Sequence, residues 1–425
     1  MREFQKKLTN GFYALISLPS TAMGFALSIQ ISALSWILTT QYGLDIHQVG
    51  IVWAAGPLAG IFGQVIVGLI SDRVWFWGGR RRPFIVIGGA LAALMLFALP
   101  GIRAISGAFG VGSLLVVATV IALTLDLAIN VSFNPTRSVI ADVTPEGEAR
   151  TKGYTWMQTI SGFFGVLAYV IGAVAGNYVL IYAGVGLVLL FSVVPILFVT
   201  EPRELGAPGT EKQRSETGGT QWGQLFRLYA AHAFSWIGVQ TMFVYIIAFI
   251  SQKMELPASP ADAARLTGQV ISISFAVLNT VGFLLPAPVL EPLALRFGRV
   301  RVHMSAVAVM AAGYFGVVLF GRTPLALYIL MGVLGIGWAS IVSLPFAIMT
   351  EKVDKSRTGF FMGIFNLSVV LPQLFVSLVL GKIVLEAQDK SVIFMISGCA
   401  LAISALGWVL VREGRPEAAP RPEPS

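Results

Sequence analysis

The sequence predicts an all-α membrane protein of twelve transmembrane helices in two six-helix halves. Three observations predict it. Of 425 residues, 56% are AVILMFWYC and only 12% are DEKR, against about 25% charged residues in an average soluble domain. Apolar runs recur from about Phe12 to about Leu410, each of about 18 residues or more and so able to cross a hydrocarbon core about 30 Å thick. Finally, lysine and arginine concentrate in alternate breaks between those runs: 23 of the 29 fall on one face and 6 on the other, a parity that one missed helix would scramble. The basic excess, formally +8, is therefore topological. Soluble enzymes, nucleic-acid binders and disulfide scaffolds are excluded, and the single cysteine, Cys399, allows no intramolecular disulfide or thiolate cluster.

The spans follow in order. The first, near 12–38, comes after the polar stretch Met1–Lys7 and is too long for the apolar core of a signal peptide, so it is expected to be retained. The second, near 48–70, stops at Asp72-Arg73 and Gly79-Arg80-Arg81-Arg82, and the third, near 84–102, stops at Arg103. The fourth, near 112–136, ends at Arg137; the fifth, near 154–175, follows Arg150 and Lys152; the sixth, near 178–199, is parted from it by Gly176-Asn177. After the polar stretch 201–222 come spans near 225–250, 267–289, 302–321, 324–348, 358–381 and 391–411, bounded by Lys253, Arg296 to Arg301, Arg322, Lys352 to Arg357, Lys382 to Lys390 and Arg412. The expected organisation is a half over 1–200, a linker over 201–222, a half over 223–411 and a tail over 412–425. Arginine-rich faces inside put both termini in the cytoplasm, in a cell (inner) membrane.

The halves echo each other. Gly68, Asp72, Arg73 and Gly79-Arg80-Arg81-Arg82 after the second span match Glu291, Arg296, Gly298-Arg299 and Arg301 after the eighth; Pro135 with Arg150-Thr151 and Gly153 matches Pro345 with Arg357-Thr358-Gly359. Duplicated six-helix units suit a carrier that rocks about a central site at mid-depth.

One acidic residue lies well inside a span. Asp126 sits 11 residues before Arg137, about 16 Å along the helix and so near the bilayer midplane. A charge there costs about 2.5–3.5 kcal/mol on insertion scales. Taking up a proton removes that cost, so Asp126 is expected to be a proton-coupling site; a structural aspartate that never cycles is the alternative. Asn130 and Arg137 fall on the same helical stripe, with Arg137 as a possible charge partner or a headgroup anchor. The remaining polar groups inside spans are neutral: Gln30, Gln64, Gln158, Gln240, Tyr245, Asn279, Ser340, Ser343, Asn366 and Gln373, with Trp36, Trp236 and Trp338 nearby. Amides, hydroxyls and indoles with no mid-depth cation suit an uncharged polyhydroxylated ligand, a sugar, and argue against a carboxylate or phosphate. Asp126, Asn130, Gln30, Gln158, Gln240, Asn279, Asn366 and Gln373 are the candidate sugar contacts. The spans hold no HExxH and no Ser/His/Asp set, and His47, His232 and His303 are scattered, so an intramembrane enzyme fits worst and no metal or cofactor is expected.

Gly56-Pro57, Gly68, Ser71-Asp72-Arg73, Gly79-Arg80-Arg81-Arg82-Pro83-Phe84-Ile85, the fourth-span segment Leu125-Asp126-Leu127-Ala128-Ile129-Asn130 with Asn134-Pro135-Thr136-Arg137 and Ala141-Asp142, and Gly363, Asn366-Leu367 and Val370-Leu371-Pro372-Gln373 together resemble the plant sucrose/proton symporters. Those form a branch of the major facilitator superfamily, in the glycoside-pentoside-hexuronide cation symporter group. Ile129 stands where that family has the first asparagine of a pair, and His47 falls one place from its external-loop histidine. The resemblance implies the major facilitator fold and proton-coupled import of an α-glucoside, sucrose or maltose, with Asp126 carrying the proton and Arg137 the family's required arginine. Asp72, Arg73, Arg80, Arg81 and Arg82 would form a cytoplasmic gate. Short termini and a short linker imply a bacterial relative, working as a monomer in the bilayer. A membrane sugar sensor of the same fold and a sodium-coupled glycoside carrier are the alternatives.

Overall fold

A computed structural model describes residues 3–60, 74–145, 148–202, 220–353 and 358–413. Everything regular in it is helical, apart from one isolated bridge between Phe76 and Gly79. We number the principal helices α1 (Asn10–Thr40), α2 (Ile46–Trp53), α3 (Arg82–Ala98), α4 (Leu114–Val143), α5 (Glu148–Ala175), α6 (Asn177–Phe198), α7 (Trp222–Lys253), α8 (Pro260–Leu284), α9 (Arg299–Phe320), α10 (Pro324–Ile341), α11 (Thr358–Phe375) and α12 (Val392–Trp408). Among the described residues, 10 helical stretches are long and apolar enough to cross a membrane, and α12 is a shorter apolar helix. Helix α2 opens on a capping box, Asp45 accepting from the Gln48 amide at 2.9 Å and Gln48 from the Asp45 amide at 3.0 Å. Its continuation is helical over 55–60. Gln64, Asp72 and Arg73 lie outside the described residues, as do the Arg357 end of the second echo and the 203–219 part of the linker.

Several helices overrun the apolar stretches that announce them. Helix α4 is 30 residues long and continues through Pro135, where the Thr136 hydroxyl donates to the Phe133 carbonyl at 2.8 Å. Helix α8 starts at Pro260, seven residues before its apolar run, because Pro at the first helical turn and Asp262 beside it are start signals that need no lipid. The tenth span breaks: α10 stops at Ile341 and a short helix resumes over Leu344–Thr350. Pro345 supplies no N–H to the Ile341 carbonyl, and the Ser343 amide turns to the Ser340 carbonyl at 3.2 Å while Ser343 Oγ donates to the Ala339 carbonyl at 2.6 Å. Large apolar side chains such as Leu94, Phe163, Leu190, Leu319, Ile329 and Leu406 remain exposed, as a lipid-facing perimeter requires.

Both termini reach one face. Gln5 exchanges hydrogen bonds with Thr200 (3.1 Å from its Nε2 to the Thr200 carbonyl), and the Arg412 amide donates to Gln224 Oε1 at 2.7 Å. We call this the terminal face. There the sequence echo acquires a physical form. Glu201, just past α6, accepts from the backbone amides of Arg80, Arg81 and Arg82 at 2.7, 2.8 and 2.7 Å, while Arg81 Nε pairs with Asp142 at 3.2 Å. Glu413, just past α12, accepts from the amides of Arg299 and Val300 at 2.7 and 3.0 Å, while Arg299 pairs with Glu351. Each carboxylate caps the start of the helix three spans earlier, and each comes close because a glycine precedes the cap: a Cβ at Gly79 would lie 2.6 Å from Glu201, and one at Gly298 (φ +91°) 2.7 Å from Glu413. Removing a carboxylate cap of this kind costs about 0.5–2 kcal/mol. Glu201→Ala and Glu413→Ala are therefore each expected to lower the thermal midpoint in detergent, by similar amounts, with helix content retained; a circular-dichroism melt checks it.

At the opposite face, Lys253 holds the exposed Asp389 at 2.9 Å. That hydrogen bond, with the Ser391 amide, pulls the Asp389 carboxyl down to about 2. A depressed carboxyl stabilises above its ordinary pKa and loses the contribution as pH falls through the lowered one, so this loop is constant over about pH 5–8 and adds no pH dependence there.

Candidate functional site

On the face opposite the termini the first six helices press against the rest. Ser32 Oγ and Ser272 Oγ are 2.8 Å apart, Ser35 Oγ donates to the Val244 carbonyl at 3.1 Å, and Trp36 Nε1 donates to the Ala264 carbonyl at 2.7 Å. Towards the terminal face the same two groups of helices separate around a cavity of ≈ 780 Å³ walled by α1, α5, α8 and α10. Its lining carries Ser28, Tyr154, Thr155, Gln158, Thr159, Ser161, Asn279, Trp338 and Ser343, and no charged side chain among the described residues. The break after α10 places Val342 and Ser343 in the wall; broken helices at cavity walls expose backbone without facing lipid.

Of the candidate sugar contacts, Gln158 and Asn279 face this cavity from opposite sides. Asn279 Oδ1 accepts from Trp338 Nε1 at 3.3 Å and its Nδ2 donates to the Phe275 carbonyl at 2.9 Å, so the amide and indole are held in fixed orientation. Gln240 and Gln373 are not in the wall: Gln373 Nε2 donates to Gln240 Oε1 at 3.3 Å, joining α11 to a buried site on α7. Asn366 is half-buried on α11 and is not in the wall either. The polar stripe of α5 was readable at helical spacing, since Thr155, Gln158, Thr159, Gly162 and Gly165 repeat at three and four residues.

Asp126 is 4% exposed and is not among the residues that line this cavity. Gln30 Nε2 donates to its Oδ2 at 2.9 Å, and Gly56 leaves room for it, since a Cβ there would sit 3.3 Å from both carboxyl oxygens. Asn130 turns back on its own helix, Nδ2 donating to the Asp126 carbonyl at 2.8 Å. Arg137 is not the partner of Asp126 here. Its guanidinium lies 4.3 Å from the Phe133 ring centroid, and its carbonyl accepts from Tyr154 at the cavity wall at 3.2 Å. The described contacts of the Arg80–Arg82 turn include Glu201 and Asp142 in the same six-helix group.

The link between Asp126 and the seam is a π-helical turn over Gln30–Leu34 within α1. Such insertions re-aim side chains and cluster at functional positions. Along this one segment Ser28 faces the cavity, Gln30 holds Asp126, Ser32 meets Ser272, and Ser35 takes the Trp53 indole at 2.8 Å while bonding Val244.

Known proteins share both sequence and fold with this chain. It is 25% identical over 423 residues to "Sucrose transport protein SUC4" of Arabidopsis thaliana, covering 85% of this chain and 82% of that protein. It is 24% identical over 428 residues to "Sucrose transport protein SUT2" of Oryza sativa subsp. indica, covering 86% and 85%. A 174-residue stretch, 37% of the chain and 31% of the relative, is 31% identical to "General alpha-glucoside permease" of Schizosaccharomyces pombe. Among solved structures, the nucleoside transporter NupG superposes with a TM-score of 0.70 at 14% identity, covering 95% of this chain and 99% of that one. A D-xylose-proton symporter does so with 0.70 at 16%, covering 95% and 98%. The profile of the Major Facilitator Superfamily matches residues 16–367 and 241–425, and the chain belongs to that superfamily.

Proposed function

We propose that the protein is a proton-coupled symporter that imports an α-glucoside disaccharide, sucrose or maltose, by alternating access, with Asp126 as the proton site. The observation that carries the reading is the α1 segment from Ser28 to Trp36. It touches the cavity, the lone carboxyl and the closed seam within nine residues, so the protonation of Asp126 and the packing of the seam share one backbone. The sucrose-transport and α-glucoside names of the relatives supply the substrate class, and the uncharged, hydroxyl- and amide-bearing wall suits it.

In this reading the arginine-rich terminal face is cytoplasmic, and the structure is the cytoplasm-facing form. Asp126, met by one neutral donor, is expensive to leave charged while dry. A proton taken from outside removes that cost and lets the seam close over bound sugar. Water entering through the open cavity solvates the carboxylate and the proton leaves. One proton crossing 100 mV supplies about 2.3 kcal/mol, which is about a fiftyfold concentration ratio. Asp72, Arg73 and Arg80–Arg82 would meet the other half when the cytoplasmic side shuts.

Uptake of labelled sucrose and maltose into vesicles holding the purified protein tests the proposal. Accumulation above the external concentration is expected only with an inward pH gradient. Binding without transport would instead establish a sensor, and accumulation driven by sodium alone would establish the other coupling ion.

A further inference from the structure

A groove of ≈ 630 Å³ opens near the terminal face between the stretch that follows α8, α9 and α10. Two prolines shape it. Pro286 and Pro288 supply no N–H, so α8 breaks at Leu285 and continues as a π-helical turn over Pro286–Leu290 and a short helix over Glu291–Phe297. Leu285, Val289, Leu293 and Phe297 fall at four-residue intervals on this stretch and form one wall; Arg301, Ser305 and Val309 fall at the same interval on α9 and form the other. The two stretches run in opposite directions from Gly298, beside the point where the Arg299 amide meets Glu413 at the terminal face. With depth the first wall is apolar throughout, and the second passes from guanidinium to hydroxyl to isopropyl. From Arg301 to Val309 is about 12 Å along the helix axis, which stays within one leaflet of about 15 Å of hydrocarbon. Leu293, Phe297 and Val309 are exposed, so the groove opens to the lipid perimeter.

Its charge is one-sided. Arg301 is the one charged side chain among the lining residues; it is exposed and has no ion-pair partner among the described residues. Its neighbour Arg299 already pairs with Glu351, and Glu413 is engaged by the amides that open α9. Arg296 packs 5.1 Å from the centroid of the lining Phe297 ring, which brings a second cation to the mouth. Glu291, the acid on the same stretch, does not line the groove. An apolar slot with basic groups at its membrane-surface end matches a molecule with a hydrocarbon chain and an anionic head.

We propose that this groove binds one anionic phospholipid from the leaflet at the terminal face, with its phosphate on Arg301 and Ser305 and an acyl chain along Leu285, Val289 and Val309. A zwitterionic phospholipid fills the apolar part equally well but carries no net charge to match Arg301, so the selectivity lies in that guanidinium. One cation at the membrane surface corresponds to about a fivefold preference for the anionic lipid. The inference needs the superfamily fold and the bilayer, and stands apart from the sugar and proton assignments.

The test is native mass spectrometry of the purified full chain, stripped of lipid in detergent and titrated with phosphatidylglycerol or phosphatidylcholine of the same acyl chains. One phosphatidylglycerol is expected to bind about fivefold more tightly than phosphatidylcholine, and inorganic phosphate is expected not to displace it. Arg301→Gln is expected to erase the preference while leaving phosphatidylcholine binding unchanged. Val309→Trp fills the groove and keeps the guanidinium, and is expected to remove the tightly held lipid; both positions are exposed, so neither change disturbs the core. Equal binding of the two lipids by the unaltered protein, or a preference that survives Arg301→Gln, would overturn the proposal. So would tight phosphatidylglycerol binding that survives Val309→Trp or yields to inorganic phosphate, since the groove would then contribute nothing.

Discussion

Asp126→Asn is expected to abolish sugar accumulation against a gradient while leaving sugar exchange across the membrane within about tenfold of normal. The amide matches the protonated carboxyl in size and can still accept from Gln30 Nε2, which reaches Asp126 at 2.9 Å, so the π-helical turn and the seam keep their packing. What is lost is the ability to become charged, and with it the link between proton release and the return of the empty carrier. Counterflow in vesicles, with and without a pH gradient, separates the two. A passive structural aspartate would give the opposite pattern, with binding and exchange damaged while the gradient dependence of any residual transport survived.

Gly50→Ala is expected to shift the conformational balance away from the form described here. A Cβ at that position would overlap the Ser377 carbonyl oxygen and lie 2.5 Å from Tyr245 Oη. Both neighbours are fixed, since Tyr245 donates to the Val376 carbonyl at 3.0 Å and Val376–Leu380 is a π-helical turn. Overpacking of this kind costs about 1–3 kcal/mol, which changes the ratio of the two states by about 5- to 150-fold, enough at its upper end to bring a form favoured by two decades to about parity. Gly50 belongs to the first half of the chain and Ser377 and Tyr245 to the second, so a state that parts the seam would escape the penalty. Cross-linking of a Ser32→Cys/Ser272→Cys pair in a Cys399→Ser background reports it: rapid with Gly50 present, and slowed by up to about two- to threefold in the Gly50→Ala protein. Tyr245→Phe removes one hydrogen bond and no volume and is expected to change cross-linking only slightly.

Much of this architecture was legible because a bilayer permits so little else. The spans announce themselves as apolar runs, and among the described residues 10 helical stretches and the shorter α12 answer to them. The sequence is weaker where elements leave the hydrocarbon. Helix α4 runs past Pro135 to Val143, and α8 begins at Pro260, in segments where capping and packing, not lipid, decide. The carboxylate caps were invisible for a related reason. Glu201 and Glu413 sit in what read as linker and tail, and their amide partners are more than a hundred residues away.

For the site, helical spacing gave the right face of a helix but not what covers it. Asp126 stood out because a charge in a span has few explanations, and the structure buries it against Gln30. Its expected partner Arg137 shares the stripe but lies too far along the helix to meet it. Gln240 and Gln373 read as ligand contacts because each is polar in an apolar span; that one amide donates to the other at 3.3 Å is something only three-dimensional neighbours reveal. The hydroxyl-bearing side of α5, with Thr155, Thr159 and Ser161 at the cavity, shows in the sequence only as a helical spacing, because single hydroxyls in spans commonly bond their own helix.

Sugar-driven proton movement is the most direct measurement. In vesicles with no imposed gradient and a pH-sensitive dye outside, adding sucrose or maltose is expected to alkalinise the medium as proton and sugar enter together, and Asp126→Asn is expected to silence the signal. Sugar entry with no pH change, or an undiminished pH change in the Asp126→Asn protein, would contradict the account.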